Sequence, residues 1–362
     1  MSLSKSSRRS LIFSAGAAAY QEVREHGFSA GRIGTLAGAS GGAKWLVLSQ
    51  MDRVIARHVL PQLRAPVHTI GSSIGAWRFA CLAQRDPVAA IDRFEEAYLS
   101  QSYSEKPDRE EITARTAETL DYVLAENGVD EILSNPVIRT HIMTVRCRGL
   151  LATEHRLPLG IGLIAIATMN MASRKVLGTF FDRVLFHDPR DLPPFYSLNG
   201  FPMYRVPLHA ANFRDTILAT GAIPLVLAGV RNIDGAPTGM YRDGGVIDYH
   251  LDFPHSEPDK LALYLHFYNH LKPGWFDKRL SWRNAAIENL DRTILISPSP
   301  EFVAGLPNAK IPDRSDFTTM PTKERERAWR AAVAACLELA DELEDVLVND
   351  RLAERLQLID QC

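Results

Sequence analysis

Two segments near the start of the chain each run from a short strand-like stretch through a glycine-rich turn into a helix-like stretch. "RIGTLAG" (32–38) leads into "AKWLVLSQMDRVIARHVLPQL" (43–63), and "PVHTIG" (66–71) leads into "AWRFACLAQ". A further helix is expected over 86–101, where Asp86 precedes a proline at the first helical position. Strands that alternate with helices build βαβ units, whose helices cover the sheet. The order predicts an α/β fold with a parallel or mixed sheet covered on both faces.

Later segments are less regular. "SAGAAAYQEVREHGF" (14–28) predicts a short helix that ends at Gly27, and "VIRTHIMTVRCRGLL" (137–151) predicts a strand. "LGIGLIAIATMNMASRKVL" (159–177) is apolar enough for a buried helix or for two elements. Within it, "GLIAIATMNM" could line an acyl pocket, but we expect it to belong to the core.

The C-terminal segment, about 321–360, carries apolar residues at helical spacing. These residues are Trp329, Val333, Cys336, Ala340, Leu343 and Leu347. The pattern predicts one long amphipathic helix or two that pack on the rest of the fold.

Composition excludes several classes of protein. The chain has 362 residues, of which 46% are hydrophobic and 23% charged, as in soluble globular proteins of one large or two modest domains. Its 41 basic and 43 acidic residues nearly balance, so charge indicates neither a nucleic-acid partner nor strong recruitment to anionic lipid. No uninterrupted apolar stretch is long enough for a transmembrane helix.

Cysteine usage and the N-terminal segment favour a cytoplasmic location. Cys81, Cys147, Cys336 and Cys362 are far apart in sequence and show no zinc-binding spacing, as expected for reduced thiols. The start "MSLSKSSRRSLIFSAGAAAYQ" combines basic residues with an apolar run, as signal peptides do. Because that run is very short and leads into a helix-like segment, we expect no signal peptide.

Both glycine-rich turns satisfy the spacing Gly-x-Ser-x-Gly, one around Ser40 and one around Ser73. A nucleophile elbow needs a strand, a sharp turn with small residues beside the serine, and a helix. The turn at Ser73 meets all three requirements. The turn at Ser40 also carries Gly41 and Gly42 at a helix start, where successive backbone N–H groups can hold negative charge. This pattern favours Ser73 as a nucleophile and the earlier turn as its oxyanion hole.

A third motif, "RDGGVIDYH", places Asp243 before two glycines, and "ATGAIP" (219–224) precedes it. With these residues the chain resembles the patatin-like phospholipase family. That family has a glycine-rich oxyanion loop, a Gly-x-Ser-x-Gly elbow, an "ASxAxP" segment and an Asp-Gly-Gly/Ala motif, in this order. The counterparts here are "SGGAKW" (40–45), "GSSIG" (71–75), "ATGAIP" and "DGG" (243–245), within a motif-bearing core of about 30–255.

The resemblance implies a single domain over 1–362, a three-layer α/β/α sandwich around a central mixed, mostly parallel sheet. It makes Ser73 the nucleophile and Asp243 its general base, in a dyad without histidine. It assigns the oxyanion hole to the N–H groups around Gly41, Gly42 and Ala43, with Lys44 where the family has a basic residue.

The activity implied is that of a lipid acyl hydrolase, of phospholipase A or carboxylic-ester hydrolase type, which forms an acyl-enzyme and needs no cofactor. The substrate would be a lipid or another acyl ester. An enzyme of this kind would touch a membrane surface transiently and could be peripheral to a membrane, but the sequence shows no separate anchor. It does not indicate the oligomeric state.

Departures from the family pattern keep an alternative assignment open. Ser40 and Trp45 replace the first and last glycines of the oxyanion loop, and "IDYH" follows "DGGV". In the alternative, Ser40 is the nucleophile, "SAGAAAY" (14–20) is a degenerate oxyanion loop, and Asp243 keeps its role.

Two other classes of function also remain open. A conventional α/β-hydrolase triad for a small ester would need a histidine late in the chain, for which His250, His266 and His270 are candidates. We expect each of them, and His255, to be structural or pocket-lining. No accompanying carboxylate pattern supports a metal site. A non-catalytic binding protein of the same fold is the second alternative.

Overall fold

The computed structural model describes residues 9–359, so Cys362 and the first residues of the N-terminal segment lie outside it. The strands are β1 (Leu11–Ala15), β2 (Ile33–Gly38), β3 (Val67–Ser72), β4 (Ile138–Cys147), β5 (Phe181–His187), β6 (Met203–Pro207), β7 (Val230–Arg231), β8 (Met240–Asp243), β9 (Leu261–Leu265), β10 (Thr293–Pro298) and β11 (Leu356–Leu358). The helices are α1 (Ala17–His26), α2 (Ser49–Val54), α3 (Ile74–Leu82), α4 (Pro87–Leu99), α5 (Arg109–Leu124), α6 (Gly128–Leu133), α7 (Arg156–Ala172), α8 (Leu177–Phe180), α9 (Ala210–Gly221), α10 (Pro300–Ala304), α11 (Asp316–Thr319), α12 (Thr322–Ala335), α13 (Leu337–Val348) and α14 (Leu352–Arg355).

The strands form one mixed sheet in the order β11-β1-β10-β9-β2-β3-β4-β5-β6, while β8 pairs with β4 and β7 with β8. Its central neighbours β9, β2, β3 and β4 are all parallel, and so are β1 with β11, β9 with β10 and β5 with β6. The remaining pairs are antiparallel. This is the predicted three-layer α/β fold with a mixed, mostly parallel sheet.

The carboxyl ends of β2 and β3 meet at one edge of the sheet, because these strands are parallel and Gly38 pairs with Gly71. Loops that follow parallel strands at this edge are where α/β folds place their binding sites. The register also brings β8 there, since Ser72 pairs with Met143 of β4 and the next residue of β4, Thr144, pairs with Asp243. Ser73 and Asp243 therefore meet although they are 170 residues apart.

One helix prediction was wrong in detail. The segment 43–63 is not one helix: a 3₁₀ helix over Gly42–Val47 precedes α2, and a π turn and a second 3₁₀ turn follow it. The 3₁₀ helix over Gly42–Val47 is irregular because Gly42 has a left-handed φ of +57°. The second 3₁₀ turn contains Pro61, which has no N–H to donate.

The expectation that "GLIAIATMNM" belongs to the core holds for only part of it. Leu163, Ile166 and Asn170 are buried in α7, but Ile164 and Met171 are exposed. The buried residues pack on a small apolar cluster that includes Leu151, Met240 and Ile247. Only one face of the helix touches that cluster, which leaves the opposite apolar face in solvent.

The strands at the two ends of the described chain, β1 and β11, complete the sheet. The apolar run of the N-terminal segment forms β1, which lies between β10 and β11. The C-terminal amphipathic pattern forms two helices, α12 and α13, with Cys336 at their junction. No helix in residues 9–359 combines the length and the hydropathy needed to cross a membrane.

Candidate active site

Ser73 lies at the sharp turn between β3 and α3, with φ 54° and ψ −127°. A residue with a side chain seldom adopts a positive φ, and such strain is concentrated at functional sites. The turn is tight because its glycines touch neighbouring backbone. A Cβ on Gly71 would lie 2.4 Å from the Ala76 nitrogen, and one on Gly75 only 2.0 Å from the Gly38 oxygen. These glycines allow β2 and α3 to approach closely around the serine.

The Ser73 hydroxyl donates a hydrogen bond of 2.8 Å to Oδ2 of Asp243. The other carboxylate oxygen, Oδ1, accepts the Gly245 N–H at 2.7 Å, which fixes the orientation of the carboxylate. Both side chains are buried, each about 6% exposed. The serine and aspartate that the sequence motifs single out are therefore in direct contact.

Burial raises the pKa of Asp243 from 3.8 to about 6, because a carboxylate loses its hydration there. The hydrogen bonds from Ser73 and Gly245 oppose this rise, as do the charges of Arg314 and Lys278. The carboxylate is thus more basic than an exposed one but still ionised at neutral pH. A group of this kind can accept a proton from a serine hydroxyl.

Thr220 supports the turn from the opposite side. Its Oγ1 accepts the Ser73 N–H at 2.8 Å and donates to the Met143 carbonyl at 2.6 Å. Thr220 belongs to "ATGAIP", so the motif was recognised in the sequence but the role of this hydroxyl was not. The bond links α9 to the turn at Ser73 and satisfies the Ser73 N–H.

Gly41 and Gly42 line the same cavity as Ser73 and Asp243. Within residues 9–359, the N–H groups of Gly41, Gly42 and Ala43 have no protein acceptor. Ala43 is fully buried and does not line the cavity. Gly41 cannot be replaced easily, because a Cβ there would lie 2.5 Å from the Phe267 ring.

Ser40 is placed differently from Ser73. Its hydroxyl donates to Ser72 Oγ at 3.0 Å, and its N–H donates to the Tyr249 carbonyl at 2.9 Å. A Cβ on Gly245 would lie 2.4 Å from Ser40 Oγ, so Ser40 packs against the "DGG" motif, and it lines the same cavity as Ser73. Asp243 hydrogen-bonds with Ser73 and not with Ser40.

A cationic wall, formed by Lys44, Lys278 and Arg314, faces the cavity, and only Lys44 was singled out from the sequence. Lys44 forms an ion pair with Asp313, which holds the loop that carries Arg314. The surrounding protein and the Lys44 charge lower the pKa of Lys278 to about 8. No sequence motif marks Lys278 or Arg314. Lys44 gives an indirect signal, because a buried lysine requires a counter-ion, and here that counter-ion is Asp313, the neighbour of Arg314.

Two adjoining cavities open at Ser73. The smaller, about 90 Å³, contains the dyad and the glycine loop. The larger, about 870 Å³, is lined both by apolar and aromatic residues and by polar and charged ones, Arg109, Arg156 and Arg325 among them. Its apolar and aromatic lining residues include Trp77, Phe94, Tyr98, Ile112, Leu225 and Phe317.

Among the described residues, neither Ser73 nor Asp243 hydrogen-bonds with a histidine. His250 Nδ1 accepts the Lys272 N–H at 2.9 Å, and His266 Nδ1 accepts that of Tyr268 at 3.0 Å. Burial lowers the pKa of His266 to about 3 and that of His250 well below its usual range. In the described part of the chain, no group of three or more His, Cys, Asp and Glu side chains is arranged to hold a metal ion.

Comparison with known proteins gives no family assignment. No family model matches the chain, and no curated protein does so. Among solved structures, VipD from Legionella pneumophila is similar, with a TM-score of 0.38 and 13% identity over 94% of this chain and 72% of VipD. A likeness this distant identifies no family, so the functional argument depends on the site itself.

Proposed function

We propose that the protein is a serine hydrolase acting on carboxylic esters, with Ser73 as nucleophile and Asp243 as general base. The observation that carries the proposal is the hydrogen bond of 2.8 Å between these two side chains at a strained turn. The buried, more basic carboxylate supports it, because a serine hydroxyl reacts only when a neighbouring base takes its proton.

The reaction would proceed in two halves. Asp243 takes the hydroxyl proton as Ser73 Oγ attacks the ester carbonyl, and the resulting oxyanion faces the N–H groups of Gly41 and Gly42. Collapse of the tetrahedral intermediate transfers the proton to the leaving alcohol and leaves an acyl group on Ser73. Water, deprotonated by the same carboxylate, then releases the acid and restores the serine.

A lipid acyl ester is the substrate class that the cavities support best. A fatty acyl chain needs a long apolar space next to the nucleophile, and the cavity of about 870 Å³ borders Ser73. The four motifs in the order of the patatin-like family support the same class. Phospholipase A activity is the more specific form of this proposal.

Hydrolysis of p-nitrophenyl butyrate and p-nitrophenyl decanoate by purified variants tests the proposal. Ser73→Ala and Asp243→Asn should each lower kcat/KM by about a thousandfold, since both remove a group that reacts. Ser40→Ala and His270→Gln should keep most of the activity. Loss of activity in His250→Gln or His270→Gln, together with full activity in Asp243→Asn, would instead indicate a histidine triad. An inactive but folded wild-type protein would favour a binding protein.

A further inference from the structure

One face of α7 exposes large apolar side chains that no other part of residues 9–359 covers. Leu157 is 76% exposed, Ile161 54%, Ile164 71% and Met171 54%. These positions are spaced as i, i+4, i+7 and i+14, so they lie along one side of the helix. Thr168 lies on the same side between the last two of them, and an apolar stripe of this extent on a protein surface marks a contact site.

The ends of this stripe are basic. The helix has no charged residue after Arg156, and the first charges beyond it are Arg174 and Lys175. Arg174 is engaged by Asp277, while Arg156 and Lys175 are exposed and form no ion pair with a described residue. An apolar face between free cations is complementary to a surface with an apolar interior and anionic groups at its boundary.

Both ends of α7 are attached to the walls of the candidate active site. Arg156 lines the larger cavity, and Thr153, just before the helix, accepts a hydrogen bond from Arg242, the neighbour of Asp243. Near the other end, Asn170 donates to Asp277 at 2.7 Å, in the turn that also carries Trp275 of the smaller cavity. The two ends of α7 therefore contact the walls of both cavities.

An exposed tryptophan lies beside the C-terminal half of the helix. Trp282 is 64% exposed, and the next residue, Arg283, donates to the Asn170 carbonyl at 3.2 Å. Tryptophan is enriched where proteins meet the interface between lipid and water, because its ring is apolar and its N–H is polar. Together with Arg156 and Lys175, which lie beyond the ends of the stripe and are unpaired among the described residues, this residue fits the interface of an anionic bilayer.

We propose that the α7 face, defined as Leu157, Ile161, Ile164 and Met171, docks on an anionic phospholipid bilayer and presents the cleft at Ser73 to it. This inference rests on the proposed function, since it names the surface from which an acyl ester would be taken. The helix would lie in the interface plane, with its apolar side chains among the acyl chains and Arg156 and Lys175 at the headgroups.

Vesicle co-sedimentation of the full chain tests this docking. The experiment uses Ser73→Ala, which cannot turn over lipid, and vesicles of phosphatidylcholine with 30% phosphatidylglycerol or of phosphatidylcholine alone. Adding Ile164→Asp should lower the partition coefficient on the anionic vesicles by about tenfold or more, because a charge replaces an apolar side chain that the docked protein would bury in the bilayer. Lys175→Gln should weaken binding to the anionic vesicles only.

Leu192→Asp is the matched control, because Leu192 is also exposed (65%) but lies far from α7. It follows the end of β5 that pairs with the start of β4, whereas α7 follows the end of β4. This variant should bind vesicles like its parent. With Ser73 intact, Ile164→Asp should hydrolyse p-nitrophenyl butyrate at the wild-type rate, so failure of the proposed chemistry and failure of docking are distinguishable. Equal vesicle binding of Ile164→Asp and its parent, or no binding by either, would overturn the proposal. So would a dimer in analytical ultracentrifugation that Ile164→Asp dissociates, since a second copy would then cover the face.

Discussion

At the scale of single residues, the hydroxyl of Thr220 helps to fix the position of Ser73, the proposed nucleophile. Replacing Thr220 by valine leaves the Ser73 N–H and the Met143 carbonyl without their partner in a buried site. We expect a loss of about 1–3 kcal/mol in the free energy of unfolding and about a ten- to hundredfold lower kcat. Thr220→Ser keeps the hydroxyl and should restore both values. Denaturant unfolding and ester hydrolysis measure them, and wild-type kcat in Thr220→Val would contradict the positioning role.

Asp243 should make the protein less stable at higher pH. Its pKa is raised in the folded state, so its contribution to stability is complete below pH 3.8 and is lost as the pH rises through about 6. The rise in pKa corresponds to about 3 kcal/mol. The free energy of unfolding of Asp243→Asn, minus that of the wild type, should therefore increase by about this amount from pH 3.8 to pH 7. A difference that does not change with pH would contradict the raised pKa.

The contact between Ser73 and Asp243 could be predicted from the sequence, but the surroundings of this pair could not. Ser73 and Asp243 each stand in a short motif whose glycines are required by local backbone contacts. Lys278 and Arg314 reach the cavity from loops after β9 and β10, where position depends on the packing of the whole fold. No local sequence pattern predicts that these two side chains reach the cavity.

At the scale of elements, the contact between β2 and α3 depends on Gly75. Gly75→Ala would place a Cβ 2.0 Å from the Gly38 carbonyl, and backbone cannot give way cheaply. We expect a loss of about 3 kcal/mol or more in the free energy of unfolding. Gly160→Ala in α7 is the control, since its Cβ would meet nothing within 4 Å and alanine favours a helix by about 1 kcal/mol. Equal stability of the two variants in chemical denaturation would contradict the close approach.

Among the elements, periodicity predicted helices where the backbone is regular and was misleading elsewhere. α4 begins where the Asp86 side chain accepts the Ala89 N–H, as its sequence indicates. The segment 43–63 has apolar periodicity too, but it begins in the glycine loop at Gly42 and contains 3₁₀ and π turns, so it does not form one regular helix. In α7 the apolar residues exceed what one buried face can hold, and sequence alone cannot show which of them a neighbour covers.

At the scale of the whole molecule, both ends of the described chain enter one sheet. β1 pairs with β10 on one side and with β11 on the other, and α13 packs on α2 and β1. Because removing either end would expose the edge of the sheet, we predict one cooperative unfolding transition for the chain. Scanning calorimetry should give a single peak whose calorimetric and van't Hoff enthalpies agree. Two resolved peaks would assign the C-terminal helical segment to a separate unit.

The alternation of strands and helices predicted the class of fold, because each βαβ unit is a local sequence pattern of strand-like and helix-like segments. β1 and β11 were not predicted as strands. Their partners are distant in sequence, and short apolar runs of this kind carry no distinct period.

Labelling with a fluorophosphonate, followed by mass-spectrometric location of the modified residue, tests the central claim most directly. The reagent forms a covalent bond only with an activated serine, so it reports the nucleophile without knowledge of the substrate. We predict one adduct on Ser73 in the wild type and in Ser40→Ala, and none in Ser73→Ala. An adduct on Ser40, labelling that persists in Ser73→Ala, or a folded wild-type protein that does not react would contradict the assignment of Ser73.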